Sequence, residues 1–219
     1  LGELSLKTTA DTPRTTAHIG VVKKGDNTGL GLVDDVAKAG VKNVDDYKLF
    51  WNTLSDVPKT SQKQYILWRR VDKSWGPAVT HPMQANNTVN RYSKGREAVY
   101  FGRSKEISNA EWLSYNPTTG LRGPNGSKLY KFTVNESDLL DLTDPNVLSK
   151  LDLKTDLLTK IDDKAIPQAL GDWAFDNGYK GIIFPSARMG NEANVVIFKY
   201  FQGNTPPSIS VTDLIETID

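Results

Sequence analysis

The chain contains no cysteine, so disulfide bonds, thiolate nucleophiles and cysteine metal sites are excluded. It has only two histidines, His18 and His81, and neither has a carboxylate at helical ligand spacing. Two isolated histidines in polar, turn-rich stretches do not make a histidine metal site, and solvated loop positions are the simpler interpretation. The sequence therefore predicts chemistry without a bound metal.

An excess of charge of one sign is also absent, because 27 Lys and Arg residues face 26 Asp and Glu residues. The formal net charge of +1 gives no reason to expect nucleic acid or an anionic membrane as a partner. It also argues against a nuclease, as does the lack of a histidine or acidic metal cluster. No apolar run approaches the roughly 20 residues that a membrane helix needs, and no signal-peptide pattern is visible.

What is present is a chain of 219 residues, enough for one large domain or for a domain with an appendage. Residues 1–60 are predicted to be a leader with a small helical appendage, and residues 61–219 the main domain. The first residue is Leu1 rather than Met. We therefore expect a processed product or a piece of a longer chain.

The main domain alternates short apolar runs with helical patterns and two long loops rich in Gly, Pro and Asn. Strands are predicted at 65–71, 97–102, 128–134, 181–185 and 194–201, and helices from 108, at 144–164 and at 166–177, before a short tail that follows Pro206-Pro207. The order of elements is mixed, so five or six strands with helices between them predict an α+β fold rather than a doubly wound parallel sheet.

Several polar side chains stand at the ends of apolar runs, where a scaffold orients a residue that solvent still reaches. An arginine, a tyrosine, a glutamate and a serine in such positions suit an anionic substrate that carries ribose. The candidates are Arg69, Arg91, Tyr92, Tyr100, Glu111, Ser186 and Asn194.

Two of these positions leave alternatives open. Arg69 and Arg70 are adjacent on a strand, so one is expected to point into the domain or its cleft and the other to solvent. The inward one binds a phosphate or takes part in a structural ion pair. Glu111 follows Ser108 by three residues, which is the spacing of a capping box. Its alternative role is to stabilise positive charge at an anomeric carbon.

Taken together, these segments resemble the RES domain family, which is named for Arg, Glu and Ser residues. The resemblance covers about residues 65–203 and is closest over 168–198, QALGDWAFDNGYKGIIFPSARMGNEANVVIF. Leu67–Val71 matches the family's arginine-bearing strand, with Arg69 preferred as the family arginine. Asn90–Ser93 matches its Gly-Arg-Trp-Asn element loosely.

The resemblance implies an α+β fold like that of ADP-ribosyltransferases, with a mixed β core and surrounding helices. It implies a toxin that depletes NAD by cleaving the nicotinamide–ribose bond, with NAD as substrate and no metal. Water, inorganic phosphate and a macromolecule are all possible acceptors, and a non-catalytic binding module on the same fold is a further alternative. The implied catalytic residues are Arg69, Tyr100, Glu111 and Ser186, and the implied NAD-binding residues are Arg91, Tyr92 and Asn194.

The resemblance also implies a partner, a cognate immunity or antitoxin protein that covers the cleft. Together with the appended first 60 residues, it leads us to expect the C-terminal effector part of a larger secreted polymorphic toxin. Such an effector serves interbacterial competition and acts in the cytoplasm of the target cell.

Overall fold

The structure is a computed structural model, which describes residues 43–73, 90–114, 126–198 and 208–218. Predictions for the first 42 residues and for most of the two long loops lie outside the described residues. The helices are α1 (Val44–Trp51), α2 (Lys105–Ser114), α3 (Pro145–Lys150), α4 (Thr155–Thr159) and α5 (Ala165–Asp176). The strands are β1 (Tyr65–Asp72), β2 (Ala98–Gly102), β3 (Ser127–Asn135), β4 (Leu139–Asp141), β5 (Gly181–Pro185), β6 (Ala193–Phe198) and β7 (Ser208–Ile218).

All seven strands form one sheet in the order β4-β5-β6-β2-β1-β3-β7. β4 and β5 are parallel, and every other neighbouring pair is antiparallel. The predicted mixed α+β fold is confirmed. The sheet has one strand more than the upper prediction, because residues 208–218, predicted as a short tail, form the edge strand β7 beside β3.

The sheet is nearly interrupted in its middle, between β1 and β2. These strands pair at a single position, Trp68 opposite Gly102, whereas β1 pairs with β3 along its whole length and β2 does so with β6. Helix α2 follows β2 directly, and Ser108 in α2 accepts the backbone N–H of Arg70 at 2.8 Å. A helical side chain thus satisfies a strand donor that β2 leaves unpaired.

Two apolar clusters cover the two faces of the sheet. Alternate residues of β2 divide between them, since Ala98 and Tyr100 pack in one and Val99 and Phe101 in the other, as strand geometry requires. The first cluster also contains buried residues of α3, α4 and α5 and the fully buried Trp51 of α1. The inner strands of the sheet therefore contribute buried residues to both clusters.

Helix α1 is bound to the rest of this compact unit, which spans Val41–Asp219. Trp51 donates from Nε1 to the carbonyl oxygen of Leu151 at 3.0 Å, and Trp173 of α5 donates from Nε1 to the carbonyl oxygen of Trp51 at 3.1 Å. The domain boundary at residue 60 stays a prediction, but residues 44–51 contribute to the same core as the sheet.

Local signals set several helix ends. Asp144 caps α3 and Pro145 occupies its first turn, which agrees with the predicted start of a helix at 144. The single helix predicted at 144–164 is wrong, because α3 ends at Lys150 and α4 begins only at Thr155. α5 ends at Asn177, and Gly178 follows with φ +82, a conformation that glycine adopts without strain. The start of α2 was predicted wrongly. The helix begins at Lys105 rather than after Ser108, because the Ser104 hydroxyl accepts the N–H of Ile107 at 3.2 Å.

Candidate active site

A cavity of about 240 Å3 lies at the split between β1 and β2. Residues 68–71 of β1 and 100–102 of β2 line its two sides. Side chains of α2, the segment before α5 and the ends of β5 and β6 complete the wall. The cavity therefore lies in the middle of the sheet, and its lining combines residues of strands and of α2 with residues of the connecting segments.

Glu111 is the centre of a hydrogen-bonded group at this cavity. Its Oε1 accepts from Asn194 Nδ2 at 2.8 Å and from Ser186 Oγ at 3.2 Å. These partners are 75 and 83 residues away along the chain. The capping-box alternative for Glu111 is wrong, because α2 begins at Lys105 and the glutamate lies well inside the helix.

Ser186 holds the Glu111 carboxylate by a hydrogen bond. It is buried, and it is not among the described residues that line the cavity. Its Oγ donates to Glu111 and accepts the backbone N–H groups of Arg188 at 3.1 Å and Met189 at 3.2 Å. The serine thus ties the turn after β5 to α2. The structure brings it to Glu111 and not to the space that a ligand would occupy.

Asn194 does line the cavity. It is the second residue of β6 and stands opposite Gly102 on one side and Phe184 on the other. A Cβ at Gly102 would lie 2.8 Å from the backbone nitrogen of Ser108, so glycine is required for α2 to pack this close to the strand end. That packing brings Glu111 within reach of Asn194.

The two adjacent arginines have different surroundings. Arg69 lines the cavity and is only partly exposed. Burial lowers its pKa to about 10, so the guanidinium is still charged at neutral pH. A cation held in such a desolvated wall favours an anionic ligand.

Arg70, by contrast, is bound to neighbouring side chains through its whole guanidinium. Nε donates to Asn109 Oδ1 and Nη1 to Ser127 Oγ, both at 2.8 Å, and Nη2 pairs with Glu216 of β7. The expectation that the second arginine points to solvent is wrong. Its side chain is 4% exposed, because its guanidinium lies among side chains of α2, β3 and β7.

The tyrosines and Arg91 complete the predicted set. Tyr100 lines the cavity, and its hydroxyl oxygen accepts the backbone N–H of Tyr92 at 3.0 Å. Arg91 lines the cavity and donates from Nη1 to the carbonyl oxygen of Leu158 at 2.7 Å. Tyr92 is fully buried, with its ring centroid 4.6 Å from that of Phe184. The structure does not bring Tyr92 to the cavity.

The lining also includes residues that the sequence did not indicate as candidates, among them Asn90, Lys164 and Arg188. Arg188 belongs to the Pro-Ser-Ala-Arg segment that carries the family resemblance, so the sequence could have indicated it as a candidate. Lys164 lies at the end of a predicted helix with many charged residues, and nothing in the sequence distinguished it from them. Within the described residues, Glu111 is the single acidic residue of the lining. The cavity therefore combines one carboxylate with an excess of positive charge.

Metal-binding groups and membrane-spanning helices are both absent from the described residues. In the described ranges, no three His, Asp or Glu residues stand close enough together to hold a metal ion. Of the helices described, none has the length and apolar character needed to span a membrane.

A split mixed sheet with a hydrogen-bonded carboxylate in a cavity lined by several cationic side chains defines an α+β protein with a charged cleft. The pattern of the RES domain matches residues 66–210. The chain therefore belongs to the RES domain family.

One solved structure with the same fold is a chain of the crystal structure of the M. tuberculosis MbcT-MbcA toxin-antitoxin complex. The TM-score is 0.57 at 17% sequence identity, and the match covers 86% of this chain and 92% of that chain. No curated protein matches the sequence. At this identity the likeness shows a shared fold.

Proposed function

We propose that this RES domain depletes NAD by cleaving the bond between nicotinamide and ribose. The observation that carries the proposal is the single carboxylate, Glu111, among the described residues of a cavity whose other charged residues are cations. Most glycosidases need two carboxylates, since one must protonate the departing oxygen. Nicotinamide leaves NAD as a neutral pyridine and needs no proton, so one carboxylate is sufficient.

The cations of the lining suit the rest of the substrate. Arg69, with Arg91, binds the pyrophosphate, because planar guanidinium groups match phosphate oxygens with paired hydrogen bonds. Tyr100 forms part of the wall beside Phe184 and offers an aromatic surface to the nicotinamide ring. These contacts place the anomeric carbon of the ribose next to Glu111.

The reaction then proceeds through a ribosyl cation. As the carbon–nitrogen bond breaks, its electron pair neutralises the pyridinium nitrogen, and positive charge develops on the anomeric carbon. The Glu111 carboxylate stabilises that charge. An acceptor oxygen forms the new bond, and its proton passes to Glu111 and on to solvent. Ser186 and Asn194 act through Glu111, since their hydrogen bonds fix the carboxylate.

The test is product analysis. Purified protein is incubated with NAD, and the products are identified by chromatography and mass spectrometry. We expect free nicotinamide together with ADP-ribose if water is the acceptor, a phosphorylated ADP-ribose if phosphate is, or a modified macromolecule. The incubation is repeated with Glu111→Gln. Glu106→Gln is the matched control for that variant, because Glu106 is exposed on the same helix. Intact NAD at high concentrations of folded protein would support a non-catalytic binding module instead.

We also propose a cognate antitoxin protein as partner. The support is the family membership together with the related fold found in a toxin–antitoxin complex. An NAD-depleting enzyme harms the cell that makes it, so a protein that covers the cleft at Arg69 and Tyr100 is needed. Affinity capture from the producing cell tests this, and the absence of any stoichiometric partner that blocks NAD cleavage would contradict it.

The site of action is proposed to be the cytoplasm of a target cell, as expected of a delivered effector, because NAD is abundant there. Expression of the domain in the cytoplasm of a test bacterium should arrest growth and lower cellular NAD. Export of the same domain to the periplasm should leave growth unaffected. Equal toxicity in both compartments would contradict the proposal.

A further inference from the structure

The lining of the cavity contains a buried side-chain amide nitrogen that has no hydrogen-bond partner among the described residues. Asn90 lines the cavity and is 3% exposed. Its backbone oxygen accepts from Gln168 Nε2 at 3.0 Å, which holds this position against α5. Among the described residues, the amide nitrogen of its side chain has no hydrogen-bond partner. A buried amide left in this condition costs about 1–3 kcal/mol, so a ligand that accepts its hydrogen bond is favoured.

Two cations line the cavity together with Asn90. Arg91 is its neighbour in sequence, and the bond from Nη1 to the carbonyl oxygen of Leu158 orients its guanidinium on this wall. One of its five N–H groups is used in that bond. Lys164, the residue before α5, lines the same cavity.

The two cations are close enough to oppose each other. The pKa of Lys164 is lowered by burial and by the charge of Arg91, while Asp162 acts in the opposite direction. Neither Asp162 nor its neighbour Asp163 lines the cavity, and both are exposed. Two like charges in the lining of one cavity favour an anionic ligand that contacts both.

We propose that Asn90, Arg91 and Lys164 form a second phosphate subsite, separate from Arg69, and that Asn90 donates its side-chain amide to the bound phosphate. The proposal rests on the proposed function, since NAD supplies two linked phosphates for the two subsites. It adds Asn90 and Lys164 as residues that select a dinucleotide over a mononucleotide.

The experiment measures ADP-ribose binding by calorimetry, which does not depend on cleavage. Lys164→Gln and Asn90→Ala should each weaken binding about tenfold, because each removes one contact to a charged group. Asn90→Asp should weaken it further, since a carboxylate of the same size repels phosphate. Lys160→Gln, an exposed lysine nearby that does not line the cavity, should bind ADP-ribose as the wild type does.

The stability of the ligand-free variants gives a second measurement. Asn90→Ala should not lower the melting temperature, because it removes a buried amide that lacks a partner among the described residues. Nicotinamide mononucleotide, with one phosphate, should bind equally well to the wild type and to Lys164→Gln. Wild-type affinity of both Asn90→Ala and Lys164→Gln for ADP-ribose would overturn the subsite.

The failure of this subsite differs from the failure of the proposed function. Glu111-dependent NAD cleavage with unchanged ADP-ribose binding in the Asn90 and Lys164 variants would refute the subsite alone. Asn90-dependent ADP-ribose binding without NAD cleavage would refute the function and keep the subsite. A wild-type protein that cleaves NAD but does not bind ADP-ribose would refute the subsite and keep the function.

Discussion

Asn194 donates a hydrogen bond of 2.8 Å from Nδ2 to Oε1 of Glu111, and this contact joins strand β6 to helix α2 across the end of the cavity. A carboxylate held in this way keeps one orientation without rearrangement during the reaction, which is the condition for efficient electrostatic stabilisation. The glutamate that the capping alternative would have placed at a helix start is instead fixed by residues from the C-terminal half of the domain.

The first prediction concerns Glu111→Gln. The variant should keep the fold, because an amide can still accept from Asn194 and Ser186, but it should lose at least about a hundredfold in kcat, the typical cost of removing one transition-state contact. Steady-state NAD cleavage and thermal melting measure the two effects. Full activity in this variant, beside an unchanged Glu106→Gln control, would remove Glu111 from the mechanism.

The second prediction separates Ser186 from residues that touch the substrate. Ser186→Ala deletes one hydrogen bond to the Glu111 carboxylate. A hydrogen bond to a charged group contributes about 1.5–3 kcal/mol of interaction free energy. We expect kcat to fall by about 10–100-fold with little change in the KM for NAD. A selective rise in KM would instead show that the serine binds the substrate directly.

The third prediction contrasts the adjacent arginines. Arg69→Gln should raise the KM for NAD about tenfold or more. Arg70→Ala should change the KM less and lower the stability more. It removes the hydrogen bonds to Glu216, Asn109 and Ser127, and we expect a loss of about 2–4 kcal/mol in stability. Denaturant unfolding measures the stability of both variants, and steady-state kinetics measures their KM for NAD. Equal effects on KM would mean that both arginines face the substrate.

Local signals predicted most elements of this fold. The apolar runs predicted the bounds of β5 correctly and those of β1 and β2 to within one residue. The pair Asp144-Pro145 marked the start of α3. The start of α2 was missed because Ser104 and Ser108 are equally good caps by sequence. Packing decides between them: Ser108 binds the Arg70 backbone instead.

Contacts between distant residues could not be predicted. Arg70 pairs with Glu216, which lies 146 residues away on a strand that its sequence made look like a tail. Ser186 was a candidate because it stands at the end of an apolar run, and its hydrogen bond to Glu111, 75 residues away, had no signal in the sequence. In each case the sequence pattern identified a polar residue near the end of a strand. Only the arrangement of the strands and helices determined which residue it contacts.

The fourth prediction concerns Tyr92, which the resemblance placed among the NAD-binding residues. It is fully buried, and among the described residues its hydroxyl has no hydrogen-bond partner. Tyr92→Phe should therefore raise stability by about 1 kcal/mol and leave the KM for NAD unchanged. Tyr92→Ala should cost about 3–5 kcal/mol, since it removes the ring that packs on Phe184. A higher KM in the phenylalanine variant would restore the predicted contact with NAD.

The fifth prediction is a loss of stability in alkaline solution. Burial raises the pKa of Tyr179 to about 12, while in the unfolded chain a tyrosine titrates near 10. Between these values the folded state holds a proton that the unfolded state has released, so stability falls as the pH rises from about 10 to 12. We expect this group to contribute about 1–2 kcal/mol to the decline.

Tyr179→Phe provides the control for that decline. The variant loses the hydrogen bond of 2.8 Å that the hydroxyl donates to the carbonyl oxygen of Val57, so it should be about 1 kcal/mol less stable at pH 7. Its stability should nevertheless fall less steeply above pH 10, because the proton that unfolding releases is no longer there. Urea unfolding of both proteins at pH 7, 9, 10 and 11 measures the two slopes. Parallel slopes would show that Tyr179 titrates as an ordinary tyrosine, and that burial does not control its ionisation.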